Sequence, residues 1–386
     1  MTRPDPAEDR RPGGARAAAE LAALVRESVA ANAARDVLHL RLAGLGADLR
    51  RPHHQRLLRD ALEPALAAAR TRVFDLPNGD VVAIAAPPAP ALEAAAEALR
   101  RTLDLSGDAG LRRLRLPEAA AQLLSAAADS LGLAPERAAP AGPGRALSSA
   151  ALAVAERDLA QADLEPVTTR HAVCRLDPEG AAPDLLWRDL RIDWPALSAA
   201  VLPGVALGPA PGLPARLARV AEARLLAELA RPAAQLGWKP AGVALSPALV
   251  TGAAFRRFDA ALPAGRRQEV TIGFRPADIL ADPAGFRAAR DAARGRGYRL
   301  ALDDAAPAAL DVLPPERLGL DLIRLRWSPD LPVAVPPALA RVLGAEDRAG
   351  RIVLAGVDRP AAIAWGWEAG IRQFQGALVE RRWRAG

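Results

Sequence analysis

The sequence predicts an α/β protein: a modified, TIM-like (β/α)8 barrel with one antiparallel strand, preceded by a small N-terminal α/β domain. Three observations lead there. The chain has 386 residues, room for about two domains at roughly 150 residues each. From Thr168 onward, eight short apolar runs alternate mostly with helix-sized stretches, as strands do in a closed parallel barrel. Only Asp177–Asp184 separates the first two of these runs. A parallel crossover needs about a dozen residues, so that pair should form an antiparallel hairpin.

Composition narrows the class. Hydrophobic residues make up 51% of the chain, but aromatics only 4%. Ala buries little area, so the core must draw on Leu, Val and the seven Trp. The formal charge is +6, and nearly every cation is Arg, with Lys239 a rare exception. The arginines are spread among 45 acids rather than gathered with aromatics in one patch, so a nucleic-acid partner is not expected. The single cysteine, Cys174, excludes an internal disulfide framework and suits a reducing compartment. There is no apolar signal-type start, and no uncharged apolar run reaches the ~20 residues of a membrane helix. A cytoplasmic protein with no membrane span is the expectation.

The elements follow in order. Residues 1–16 are polar and rich in Pro and Gly, and read as disordered. "ARAAAELAALVRESVAANAA" reads as a helix and "DVLHLRLAGL" (Asp36–Leu45) as a strand. A helix follows around "HHQRLLRDALEPALAAAR". In "TRVFDLPNGDVVAIAAP" two β-rich runs flank an Asn-Gly turn, the mark of a hairpin. "APALEAAAEALRRTL" is helical again. Residues 106–163 read as a connector, with a helix at "PEAAAQLLSAAADSLG", a linker at "APERAAPAGPGR" and a helix leading into the barrel. The expected division is thus a tail at 1–20, a small α/β domain at 21–105, a helical connector at 106–163 and a barrel at 164–386. The barrel strands are "HAVCRL" (171–176), "LLWRDLRI" (185–192), "GVALS" (242–246), "EVTIGF" (269–274), "YRLAL" (298–302), "LDLIRL" (320–325), "RIVLA" (351–355) and "IRQFQ" (371–375). The clearest intervening helix is "DPAGFRAARDAARGRG": Asp282 can cap it, Pro283 suits its first turn, and Gly295 and Gly297 stop it.

Several of these strings resemble, in order and spacing, the EAL domain, the cyclic di-GMP phosphodiesterase barrel. "YRLALDD" is similar to that family's strand ending Leu-Asp-Asp, and "ERLGLDLIRL" to its Leu-Asp-x-Ile-Lys-Ile strand. "RIVLAGVDRPAAIAWGWEAGIRQFQGALVERR" resembles its Ala-Glu-Gly-Val-Glu strand, a helix and a closing Gln-Gly. "VALSPALVTGAAFRRFDAAL" resembles the strand and helix that open with Asn-Leu-Ser. The N-terminal module is similar in layout to a degenerate GGDEF (diguanylate cyclase) domain, whose signature hairpin would fall at Pro77–Val81.

The resemblance implies two-metal hydrolysis of cyclic di-GMP, with Mg²⁺ or Mn²⁺ activating a water and neutralising phosphate charge. Such hard ions need oxygen ligands converging from several strands. Laid on that pattern, the Glu of Glu-Ala-Leu falls on Trp187, the metal-binding Asn on Ala244, the Glu of the next strand on Gly273, and the Glu of Ala-Glu-Gly-Val-Glu on Ala355 or its neighbour. Asp303 and Asp304 are retained, Lys becomes Arg324, the second Glu becomes Asp358, and Arg191 and Gln375 match the family's phosphate-contacting Arg and terminal Gln. Two aspartates from one loop make a poor divalent site, so no cofactor is expected. Arg324 should compensate the adjacent Asp303 and Asp304. A loop-capping, water-facing role for the two aspartates is the plainer alternative.

Other residues carry weaker signals. His53-His54 reads as a helix-start pair, His39 as a half-buried strand residue, Cys174 as a core residue and "NGD" as a turn. Ser246 has no His-Asp constellation beside it. "WGWEAG" reads as a barrel helix with one Trp turned inward. "RRWRAG" reads as a solvated tail or a contact for an acidic surface.

The leading expectation is a catalytically inactive EAL-like regulatory or scaffold protein in cyclic di-GMP-related signalling. It would act through a protein partner not yet identified, or through weak metal-free binding of cyclic di-GMP by Arg191, Asp303, Asp304, Arg324, Asp358 and Gln375, with a homodimer as a further expectation. The alternative is an active phosphodiesterase with a metal site rearranged onto Asp303, Asp304 and Asp358, using Mg or Mn. A third reading, an Arg-driven RNA or DNA binder, would be marked by steep salt dependence.

Overall fold

The computed structural model describes residues 14–42, 52–103, 110–131, 145–146, 148–180, 182–206, 212–231, 234, 238–329, 331–332 and 335–385. The chain divides into two units, with the boundary at Gly132.

The first unit holds an antiparallel sheet of β1 (Arg35–Leu40), β2 (Thr71–Asp75), β3 (Val81–Ala85) and β4 (Leu111–Leu116), in the order β2-β3-β1-β4. This is the split βαβ arrangement, each helix carrying the chain past a strand laid between. Helices Gly14–Ala30 and Ala120–Ser130 pack as one pair, and Pro52–Ala67 and Pro90–Leu103 as another. β3, "VVAIA", is buried at Val82, Ala83, Ile84 and Ala85 alike, as a strand covered on both faces must be.

The Asn78-Gly79 turn forms as the hairpin signal requires: Gly79 takes φ +88° and Asn78 Oδ1 accepts from the Asp80 amide at 3.1 Å. His39 is buried rather than half-buried, with its Nε2 3.4 Å from Asp80 Oδ2. His53 and His54 fall in the first turn of Pro52–Ala67.

Two expected boundaries move. The opening helix begins at Gly14 and buries Ala17 and Ala18, so part of the expected tail is structured. Residues 111–116 and 120–130 are not connector: "LRRLRL" pairs with β1 along its length, and the helix after it packs on the opening helix. Three arginines in six residues mask this strand in the sequence, although Leu111 and Leu116 are buried in it. The expected linker at 134–145 lies almost entirely outside the described residues.

The second unit contains a short parallel pairing of β5 (Arg145–Ala146) with β8 (Val205–Ala206), and a closed barrel of eight strands. These are β6 (Thr168–Arg175), β7 (Asp184–Ile192), β9 (Ala241–Ala244), β10 (Val270–Phe274), β11 (Arg299–Ala305), β12 (Leu322–Arg326), β13 (Ile352–Ala355) and β14 (Gln373–Gln375). β6 runs antiparallel to both neighbours, β7 and β14, while the other pairs are parallel. The expected reversed strand is therefore present.

Asp282 Oδ1 caps helix Pro283–Gly295 by accepting from the Gly285 amide at 2.8 Å. Strand alternation sorts the barrel residues into two sets. Ile323, Leu325, Val243, Ile272 and Leu302 belong to the large core between barrel and helices. Val173, Trp187, Ala301, Leu322 and Val353 form a separate apolar cluster that fills the barrel's interior. In "WGWEAG", Trp365 packs against Trp327 at 5.6 Å and Trp367 donates to the Leu176 carbonyl at 3.0 Å, so both rings are engaged.

Candidate functional site

Above that apolar layer, the same alternation lifts polar residues into the barrel. On β7, Trp187, Asp189 and Arg191 share one face; on β12, Leu322, Arg324 and Arg326 do. β11 contributes Ala301 and then Asp303. Its pairing with β12 shifts between Leu302 and Ala305, and Asp304 takes φ +52°. This irregularity re-aims the second carboxylate, so that neighbouring aspartates that would point to opposite faces both reach arginines of β12.

Arg324 is 1% exposed and bridges two buried carboxylates. Its Nη1 donates to Asp303 Oδ1 at 2.8 Å and its Nη2 to Asp189 Oδ1 at 2.5 Å. Arg191 forks onto Asp303 with bonds of 3.1 and 2.7 Å. Asp189 also accepts from Trp187 Nε1 at 2.9 Å and from Gln375 Nε2 at 2.7 Å. Two carboxylates thus face two guanidinium groups, and the cluster is neutral. Burial pushes the Asp303 carboxyl up, but Arg191 and Arg324 outweigh it and hold it well below the usual carboxylate range. The Arg191 guanidinium is likewise desolvated, and Asp303 and Asp189 hold its proton more firmly than usual.

Beside this cluster, Glu222 of helix Gly212–Leu229 accepts from the Ser246 amide at 2.9 Å and from Arg275 Nη1 at 3.1 Å. Asp303 and Arg191 both act on the charge of Arg275, so this pair borders the first.

Of the residues singled out from sequence, Arg191, Asp303, Arg324, Gln375 and Trp187 meet in one network. Asp304 does not pair with Arg324 as expected; it pairs with Arg326, through bonds of 2.8 and 2.5 Å. Nor do the two aspartates form a water-facing loop cap, since Asp303 is fully buried. Asp358 stays out of the site. It is exposed and held by its neighbour Arg359, both bonds at 2.9 Å. Ala244 is buried and Ala355 half-buried, neither offering a ligand. Asp189, Glu222, Arg275 and Arg326 were missed. Asp189 had a signal: it lies two residues from both Trp187 and Arg191 on one strand, hence on their face. Glu222 and Arg275 had none.

These residues do not fit a divalent metal. Each carboxylate of the cluster is already bonded to guanidinium, and Gly242 and Gly273 lie directly against it. A Cβ at Gly273 would lie 2.9 Å from Asp303 Cβ and 3.3 Å from Arg324 Nη1, and one at Gly242 would strike Asp189 Oδ1. At Gly273 of β10, the volume where a ligating side chain would begin is filled by the Arg324–carboxylate network. Among the described residues no three His, Cys, Asp or Glu side chains gather as a metal site.

No protein-family model matches the chain, and no curated protein sequence matches it. Its structural neighbours include EAL and GGDEF-EAL proteins. One is the Vibrio cholerae LapD S helix-GGDEF-EAL protein bound to c-di-GMP, at 11% identity and TM-score 0.44, covering 97% of this chain and 95% of that one. Klebsiella pneumoniae BlrP1, in a manganese and cyclic di-GMP complex, is 17% identical at TM-score 0.40, covering 89% and 95%. The EAL domain of Mycobacterium smegmatis DcpA is 18% identical at TM-score 0.38, covering 55% and 91%.

Proposed function

We propose that this protein is a catalytically inactive, EAL-like barrel that serves as a regulatory or scaffold module in cyclic di-GMP-related signalling, working through a protein partner or through weak, metal-free nucleotide binding. One observation supports the reading: Asp189, Arg324, Asp303 and Arg191, with Trp187 and Gln375, form a charge-neutral network among the residues that the EAL resemblance aligns with its site, whereas two-metal hydrolysis needs free oxygen ligands. A divalent ion entering there would have to displace two arginines that are themselves buried or half-buried, leaving their charge uncompensated. The rearranged-metal alternative needs Asp303, Asp304 and Asp358 to converge, and each is bound to different arginines.

The test is incubation of the purified protein with cyclic di-GMP and Mg²⁺ or Mn²⁺, with the linear dinucleotide product followed by chromatography. No turnover is expected. Hydrolysis at a rate usual for enzymes, about 1 per second, would overturn the reading. Calorimetry with cyclic di-GMP in chelator then separates the two modes of action: binding at tens of micromolar favours the nucleotide, and silence favours the protein partner.

A further inference from the structure

Residues 381–385, read from sequence as part of a tail, belong to helix Ala377–Ala385, which packs on β6 and β14. Trp383 lies under the Arg188 guanidinium, 5.0 Å from ring centroid to Cζ. Between this helix and the outer face of the β6–β7 hairpin lies a cleft of about 500 Å³, lined by Arg170, Ala172, Arg188, Glu380, Trp383 and Arg384. The ladder explains the grouping: Ala172 pairs with Arg188, and Arg170 stands two residues along on the same face as Ala172. Glu380, Trp383 and Arg384 are one turn apart on the helix.

The charges in this cleft do not cancel. Glu380 is taken up: its Oε1 meets His171 Nδ1 at 3.0 Å and its Oε2 accepts from Arg384 at 3.3 Å. Arg170 and Arg188 have no carboxylate or carbonyl acceptor among the described residues. The Arg188 guanidinium lies over the Trp383 ring, a contact that leaves its N–H groups available, and a guanidinium can receive a tetrahedral anion through two parallel bonds. Two uncompensated guanidinium groups match the charge of a phosphate group near −2. The volume lies within the range of small-molecule sites, and Ala172 and Trp383 offer apolar wall to the organic part of such a ligand.

We infer that this cleft, outside the barrel and separate from its mouth, is a binding site for a phosphate-bearing small molecule of nucleotide size, gripped by Arg188 and Arg170. The site does not depend on the barrel being inactive.

The experiment is calorimetric titration of the full chain with inorganic pyrophosphate at low salt. Binding with Kd below about 1 mM is expected. Arg188→Ala should weaken it about ten- to hundredfold, as loss of a charged bidentate contact does. Arg188→Lys, which keeps the charge but loses the fork, should recover only part, and Arg170→Ala should weaken it less. Arg326→Ala at the barrel mouth and Arg256→Ala on a distant helix should leave it unchanged, with circular dichroism checking that every variant is folded. Loss of binding in Arg326→Ala but not in Arg188→Ala would place the anion at the mouth and overturn the inference. So would no heat up to about 10 mM, or an acidic peptide such as oligoglutamate binding more tightly than pyrophosphate.

Discussion

Removing the charge of Asp189 tests the network most directly. In Asp189→Asn one carboxylate oxygen becomes an NH₂ group, which faces Arg324 Nη2 and Trp187 Nε1 on one side or, on the other, Gln375, whose amide must turn its oxygen inward to accept it; on either side the charge opposite Arg324 is gone. Arg324 is 1% exposed, Trp187 4% and Gln375 6%, so water cannot easily replace the lost acceptor. A hydrogen bond to a charged group contributes about 1.5–3 kcal/mol, and breaking a buried ion pair by removing one partner costs roughly 3–5 kcal/mol. A loss of about 4 kcal/mol follows, because the three donors share one acceptor group and do not add independently. For a unit of this size each kcal/mol moves the midpoint by about 2–4 °C. The barrel transition in differential scanning calorimetry should therefore fall by roughly 8–16 °C. The double variant Asp189→Leu/Arg324→Met removes both charges and should recover part of this loss, since Asp303 keeps Arg191 while Trp187 and Gln375 still lose their acceptor. A single variant within 2 °C of the parent, or a double variant no better than the single, would refute the account of the barrel interior as a coupled ionic network.

Three further outcomes are expected. Gly273→Glu should lower barrel stability, because its Cβ meets Asp303 and Arg324, and should fail to create Mn²⁺ binding by calorimetry unless Arg324 is also replaced. Asp303 is held below the ordinary value, so its contribution is present above the unfolded aspartate pKa near 4 and is lost as pH falls towards the folded value. The barrel midpoint should therefore drop more steeply between pH 5 and 2 than it does in Asp303→Asn. Burial, with Asp184 and Glu380, pushes the Cys174 thiol up to about 11, so a thiol reagent at pH 8 should label it only after denaturation.

Much of the architecture was legible in the chain. Eight apolar runs gave eight strands, and the short Asp177–Asp184 connection gave the reversed β6, because a parallel crossover has a minimum length and a hairpin does not. The turn at Asn78-Gly79 and the cap at Asp282 were readable for the same reason: each depends on residues within three positions of one another. β4 was not, since a strand with three arginines in six residues becomes recognisable only when β1 is laid beside it.

For the site, the residue types carried one expectation. The side chains of Trp187, Ala244, Gly273 and Ala355, on which the EAL resemblance would lay its ligand positions, hold no carboxylate or amide oxygen, and that much needs no coordinates. What fills the space instead was decided by the tertiary structure alone. Asp189 and Arg324 lie 135 positions apart, and Asp189 and Gln375 lie 186 apart. The left-handed backbone at Asp304 sends that carboxylate to Arg326 rather than Arg324. Pairing between distant charges is set by barrel closure and strand register, which no local pattern encodes. Chemistry that depends on absent donors can be read along the chain, whereas chemistry that depends on convergence appears only once the strands are side by side.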